Sequence, residues 1–400
     1  MSGLGDNTRR FDAGAFVGRA WRALVFMIAH IGGLRDREVP TIGVEEEFVL
    51  VDRVSGHPVG RNRDVAEAAA RRGLELDLEL TSCQVEIATP TLTSIDDVGG
   101  HLRRLRGLLS ASADDVAIDL IAAGVPPTVP DSFPITDGDR YRRIAERFGM
   151  LAHEQGISGC HVHVGVPDQT TALGVCNWLR PWLPILLALS ANSAIHRDAD
   201  TGYASWRSVL WSRWPAGGPP PYLRSVEHLA EIRRTLVDTG AVLDEHMIYW
   251  DVRPSDHLPT IEIRVGDVQG RAAETQTLAS LARAAVMTAT AELRADRVPD
   301  DVDPTVLSAA YWRAAHDGLS GSAVDVVTGR LVEAQDHLHT FVDRVSHALD
   351  HLGELLEVER SLHRSGSEGN GAIRQRAVFD AEGSGRAVAA AARVDVADDG

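Results

Sequence analysis

The sequence predicts an α+β fold in which helices cover one face of a sheet. Two observations predict it. Four segments alternate apolar residues with acidic or imidazole residues at the two-residue period of a strand, and three later segments repeat apolar residues at three- and four-residue steps. Glutamates and histidines then gather on the sheet face that the helices leave open, which reads as concave and lined with carboxylates.

The first strand is TIGVEEEFVLVD. Ile42, Val44, Phe48 and Leu50 share one side, Gly43, Glu45 and Glu47 share the other, and Glu46 falls among the apolar residues. In LELDLELTSCQVEIATP, Leu74, Leu76, Leu78 and Leu80 alternate with Glu75, Asp77 and Glu79. Beyond Ser82 the parity reverses, with Val85 and Ile87 against Gln84 and Glu86. A reversal without a long loop implies a tight turn, which brings Glu79 and Glu86 to one side of the sheet. Glu75 and Asp77 read as a solvated outer face.

The third strand, SGCHVHVGVPD, sets Val162, Val164 and Val166 against His161, His163 and Gly165, and gives Cys160 the parity of a core thiol. In the fourth, PTIEIRVGDV, Ile261, Ile263 and Val265 point inward and Glu262 and Arg264 outward. YWDVRPS before it aligns Tyr249, Asp251 and Arg253. Helical periodicity over about 271–298, 304–317 and 329–363 supplies the covering layer. Each strand alone has a bland reading as a solvated edge or a structural histidine pair. Together they describe an oxygen-rich site with an imidazole, which suits Mg²⁺ or Mn²⁺ better than zinc. Gathering like charges in this way is costly without cations.

All 40 basic residues are arginine, against 57 Asp+Glu, for a formal charge of −17. The absence of lysine excludes a P-loop and Schiff-base chemistry, and the acidic balance weighs against nucleic acid as a partner. The cysteines, Cys83, Cys160 and Cys176, form neither a disulfide framework nor a zinc knuckle, which fits a cytoplasmic location. Residues 1–39 read as a poorly ordered N-terminal extension. Their apolar stretch, Ala23 to Leu34, falls short of the roughly 20 residues that span a bilayer, so no membrane is implied. Residues 40–363 read as a single catalytic domain. Residues 364–400 carry GNGAIRQR, and the Gly-, Ser- and Ala-rich chain from Ser365 reads as disordered.

GVEEEF, ELTSCQVEIATP, SGCHVHVGVPD, LRPWLPILLALSANS, DTGYASWRSVLWSRWP, YWDVRPS, PTIEIRVGDVQ and GNGAIRQR follow one another from about residue 41 to 379. In that order they resemble the motifs of the type 2 glutamate–cysteine ligase family, carboxylate–amine ligases similar in fold to glutamine synthetase. The resemblance implies a curved, mainly antiparallel sheet backed by helices, with ATP and roughly two to three Mg²⁺ or Mn²⁺ ions in its concave face. It places Glu45, Glu47, Glu79, Glu86, His161 and Glu262 at metal-ligand positions and Arg264 at a phosphate-binding one, with Glu47 and Arg264 the catalytic pair.

The implied reaction is amide formation through an acyl phosphate. L-glutamate, L-cysteine and ATP are the best substrate reading, with γ-glutamylcysteine, ADP and phosphate as products. A guanidinium fork binds a carboxylate through two hydrogen bonds, so Arg207 and Arg253 are candidates for the substrate carboxylate, beside Tyr203, His163 and Tyr249. Arg374 and Arg376 are candidates to close over the nucleotide. After SANS the family usually has Pro-Phe and an aromatic, where this chain has Ala194, Ile195 and His196, and Gly266 replaces a bulkier residue or cysteine. Both departures are expected near the substrate wall. Two other readings stay open at this point: a guanidino-type phosphotransferase and a non-catalytic nucleotide- or metal-binding regulator. The partners implied are a small amino-acid carboxylate and an amine, and family similarity is compatible with a homodimer.

Overall fold

Strand β1 (Ile42–Asp52) is the spine of a seven-stranded sheet in the computed structural model of the chain, which describes residues 39–255 and 258–394. The other sheet strands are β2 (Asp77–Leu78), β3 (Gln84–Ala88), β4 (Ile118–Ile121), β5 (Gly159–Gly165), β8 (Val252–Pro254) and β9 (Thr260–Asp267). β6 (Ile195–His196) with β7 (Ala199–Asp200), and β10 (Ser322–Asp325) with β11 (Arg330–Glu333), form separate two-stranded ribbons. The sheet order is β2-β3-β1-β5-β9-β8, and every pairing in it is antiparallel. Glu45 pairs with both Ala88 and His161, and Val49 with both Gln84 and Ile121. β3 therefore takes one edge of β1, while β5 and β4 take successive stretches of the other.

The apolar parity of these strands faces helices, as the sequence predicts. Ile42, Val44, Val162, Val164, Ile261 and Ile263 join one core with the helices Gln169–Leu179, Leu183–Ser190, Ala272–Arg294 and Ala334–Leu352. Further along the same face of β1, Phe48 and Leu50 pack with Val85, Ile87 and the helices Asn62–Arg71 and Ile95–Asp115. The run Gln169–Ser190 is long and apolar enough to cross a membrane by length and composition, and most of it is buried in that core.

Glu46, the acid on the apolar parity, has a partner waiting there. Its carboxylate is fully buried and takes two hydrogen bonds from Arg106, at 2.8 Å through Nε and 2.5 Å through a terminal nitrogen, and one from Thr275 Oγ1 at 2.6 Å. The same guanidinium donates to the carbonyls of Gln269 and Gly270 and so ties β1 to the loop leaving β9.

Beyond Ser365 the structure corrects the expectation of disorder. The chain forms the helices Gly371–Glu382 and Gly385–Ala391 after Leu355–Glu368. Small residues suffice there because they dock on a core built by the rest of the chain. Ala372 packs with Ala191, Ala194 and Ala204, and Ala389 with Val49, Val51 and Ile121. Val394 N and Ala392 O then pair with Leu120 O and Ala122 N beside β4. The expectations for residues 1–38, including Ala23 to Leu34, and for 395–400 concern residues outside those described.

Candidate active site

Three rows of side chains cross the face that the helices leave open. Asp77, Glu86 and Glu47 stand in register over β2, β3 and β1. Glu45 stands beside His161, and His163 beside Glu262 and then Arg253. With Glu79, these residues supply three sets of donor atoms, each set lying within 4.8 Å: Glu45, Glu86 and His161; Glu45, His163 and Glu262; Glu47, Glu79 and Glu86. Glu45 and Glu86 each belong to two sets, so the three form one continuous centre.

The electrostatics of this centre are those of a cation site. Burial, and then the neighbouring Glu45, Glu79, Glu47 and Asp77, push the Glu86 carboxyl well above its ordinary range. Burial opposes ionisation of Glu45 too, but His163 and His161 hold it well below the ordinary range. Burial and the Arg264 charge lower His161, which favours a neutral ring with a free lone pair. His163 is raised, against its burial, by Glu45. His161 Nδ1 and His163 Nε2 each lie 3.3 Å from Glu45, and His161 Nε2 lies 3.8 Å from Glu47. Neither His161 Nε2 nor His163 Nδ1 has a hydrogen-bond partner among the described residues. Orphaned buried nitrogens beside crowded carboxylates fit a hard divalent cation, and these residues would hold it.

Arginines close one side of the centre. Glu262 pairs with Arg264 and takes two hydrogen bonds from Arg253, at 2.7 and 3.3 Å. Despite burial, these two cations bring the Glu262 carboxyl down far below the ordinary range. Arg264 also lies 3.4 Å from His161 Nδ1, and its guanidinium sits over the Trp211 ring at 5.9 Å. Tyr249 packs against Trp211 and Trp214 in an apolar cluster that includes Leu80 and Trp206, and Trp211 brings this cluster up to Arg264.

The other sequence candidates lie elsewhere or are occupied. Arg253 spends its fork on Glu262 and the Ile248 carbonyl. Arg207 is buried with its terminal nitrogens on the carbonyls of Arg264 and Val265. The Tyr203 ring touches Trp206 and His316, and its hydroxyl accepts from Trp312 Nε1. Arg374 is paired with Glu274 and Arg376 with Asp200, both acids outside the carboxylate centre.

Gly266 does not line a substrate wall. A Cβ there would sit 3.0 Å from Leu278 and 3.3 Å from Ser190 Oγ, on the helix side of the sheet. Ala194 and Ile195 are held through their backbone nitrogens by Gln375 Oε1, while burial pushes the neighbouring His196 down to about 4.

Sequence reasoning missed two acids. Asp77 faces Glu86 instead of an outer surface. Asp267 is fully buried and accepts from Asn192 N, Ser193 Oγ and Ser205 Oγ. It changes face because β9 carries a bulge: Val162 pairs with Ile263 but Cys160 with Gly266, so His161 faces both Arg264 and Val265. Gly266 inside the strand pattern was the available signal.

Comparison with known proteins gives consistent results. The model of glutamate–cysteine ligase family 2 (GCS2) matches residues 41–390. A relative from Mycobacterium sp. strain KMS, provisionally named glutamate–cysteine ligase 2-2, is 53% identical over 345 residues, covering 86% of this chain and 95% of its own. A second from Nocardia farcinica, provisionally named glutamate–cysteine ligase 2-1, is 51% identical over 345 residues, covering 86% and 90%. Among solved structures, the glutamate–cysteine ligase of Francisella tularensis in complex with AMP superposes with a TM-score of 0.69 at 13% identity. The match covers 89% of this chain and 88% of that one, and it is a likeness of fold.

Proposed function

This chain belongs to glutamate–cysteine ligase family 2, and from that premise we propose that it is an ATP-dependent carboxylate–amine ligase acting on L-glutamate and L-cysteine. The observation that carries the reading is the chain of three donor sets sharing Glu45 and Glu86 on one sheet face. The AMP bound in the Francisella structure supports a nucleotide as co-substrate on this fold. A cytoplasmic location suits a protein whose three cysteines are all buried and unpaired.

A glutamate carboxylate oxygen attacks the γ-phosphorus of ATP, and the bond to ADP breaks. The amine nitrogen then attacks the acyl carbon, the bond to phosphate breaks, and the amine proton leaves. Divalent ions, when bound, neutralise phosphate oxygens and the incoming carboxylate. Glu45, Glu47, Glu79, Glu86, His161, His163 and Glu262 are the residues that would hold them. Arg264, fixed between Glu262 and the face of Trp211, presents a permanent cation to the phosphoryl group in transfer. The rings of Trp211 and Tyr249, packed together beside Arg264, would exclude water from the acyl phosphate.

Incubation of the purified protein with ATP, Mg²⁺, glutamate and cysteine is expected to release ADP and phosphate in step with γ-glutamylcysteine, read by mass spectrometry. ADP release that never depends on an amine would contradict the ligase reading. A phosphorylated guanidine formed without free phosphate would assign a phosphotransferase instead.

A further inference from the structure

We propose that Arg207 is a positioning residue: it clamps the β9 bulge and thereby aims Arg264 at the carboxylate centre. The role of Arg264 as the nucleotide-facing cation is taken from the ligase reading. The clamp itself stands on geometry.

A bulge leaves backbone groups that the neighbouring strand cannot match. Here the carbonyls of Arg264 and Val265 stand opposite the single residue His161, and both turn to Arg207, at 3.2 and 3.4 Å from its terminal nitrogens. On the other side Arg264 N donates to the Asp251 carbonyl at 2.7 Å. The conformation of Arg264 is thus fixed from both flanks.

The clamp is a buried ion and needs an answering charge. Arg207 is 2% exposed, and Asp267, 3.9 Å from it, is wholly buried. Three donors hold Asp267 in turn: Asn192 N at 2.8 Å, Ser193 Oγ at 2.7 Å and Ser205 Oγ at 2.9 Å. Ser193 Oγ also accepts from the backbone nitrogen of Arg207 at 3.1 Å, which closes the network.

Two further features match this role. The Trp211 ring underlies both guanidiniums, at 5.8 Å for Arg207 and 5.9 Å for Arg264, so one indole spaces the two cations. At Gly159 a Cβ would fall 2.4 Å from an Arg207 nitrogen and 3.2 Å from His161 Nε2, so only glycine lets the fork lie against β5. A fork enclosed in this way serves the backbone, where the sequence suggested a substrate carboxylate.

The test is titration of wild type, Arg207→Met, Arg207→Lys and Asp267→Asn with the non-hydrolysable analogue AMP-PNP in Mn²⁺, alongside Mn²⁺ and glutamate titrations. Arg207→Met is expected to weaken the nucleotide at least about tenfold, with Mn²⁺ and glutamate affinity within about twofold of wild type. Arg207→Lys, which can reach one carbonyl, should recover part of the loss, and Asp267→Asn should fall in the same direction. Folded Arg207→Met with wild-type nucleotide affinity would overturn the proposal, as would loss of glutamate affinity alone. Should Arg207→Met not fold, unchanged nucleotide affinity in folded Asp267→Asn overturns it equally. Wild type that binds no nucleotide in Mn²⁺ would instead refute the ligase reading.

Discussion

Glu47→Gln is expected to lower kcat by at least about 10³-fold, equivalent to about 4 kcal/mol of transition-state stabilisation, while leaving the fold intact. The Glu47 carboxylate lies in the donor set with Glu79 and Glu86, and the amide oxygen of a glutamine is a far weaker cation ligand. The hydrogen bond that Gly159 N donates to Glu47 Oε2 at 2.7 Å survives the change, because a glutamine oxygen can still accept it. Removing one acid from a crowded set also relieves repulsion. The thermal midpoint should therefore stay the same or rise slightly. Steady-state kinetics and circular dichroism check both halves, and a variant with wild-type turnover would place the metal centre elsewhere.

The adjacent residue should behave in the opposite way. Glu46→Gln is expected to cost about 3–5 kcal/mol of stability, measured by urea unfolding, because it leaves the buried Arg106 guanidinium without its counter-charge. Apolar replacement of both partners, Glu46→Met with Arg106→Met, should cost much less than the sum of the two single changes. A loss below about 1 kcal/mol for Glu46→Gln would mean that water or a rearranged carbonyl answers Arg106. One strand thus carries a functional acid and a structural acid side by side, separated only by which face each occupies.

That separation was legible in the sequence because strand parity is local. TIGVEEEF alone distinguishes Glu46 from Glu45 and Glu47, and the same rule brought His161, His163, Glu86 and Glu262 to the open face. Parity fails where the ladder slips. The bulge opposite His161 turned Gly266 to the helices and Asp267 to the opposite face, toward Arg207, and no apolar–polar alternation records an extra residue. Partner choice was equally hidden. Arg253, Arg374 and Arg376 are spent on Glu262, Glu274 and Asp200, the last two pairings depending on chain segments far apart in sequence. The C-terminal helices escaped for a related reason: alanines that could not build a core of their own need only fit one built elsewhere.

The most direct test of this face as a metal centre is a Mn²⁺ titration of the full chain, followed by electron paramagnetic resonance. The expected result is saturable binding of more than one Mn²⁺ per chain, with the spin coupling that ions in donor sets sharing Glu45 and Glu86 would show, and a reduced count in Glu47→Gln. No saturable binding by wild type, or the same count in Glu47→Gln, would contradict the assignment.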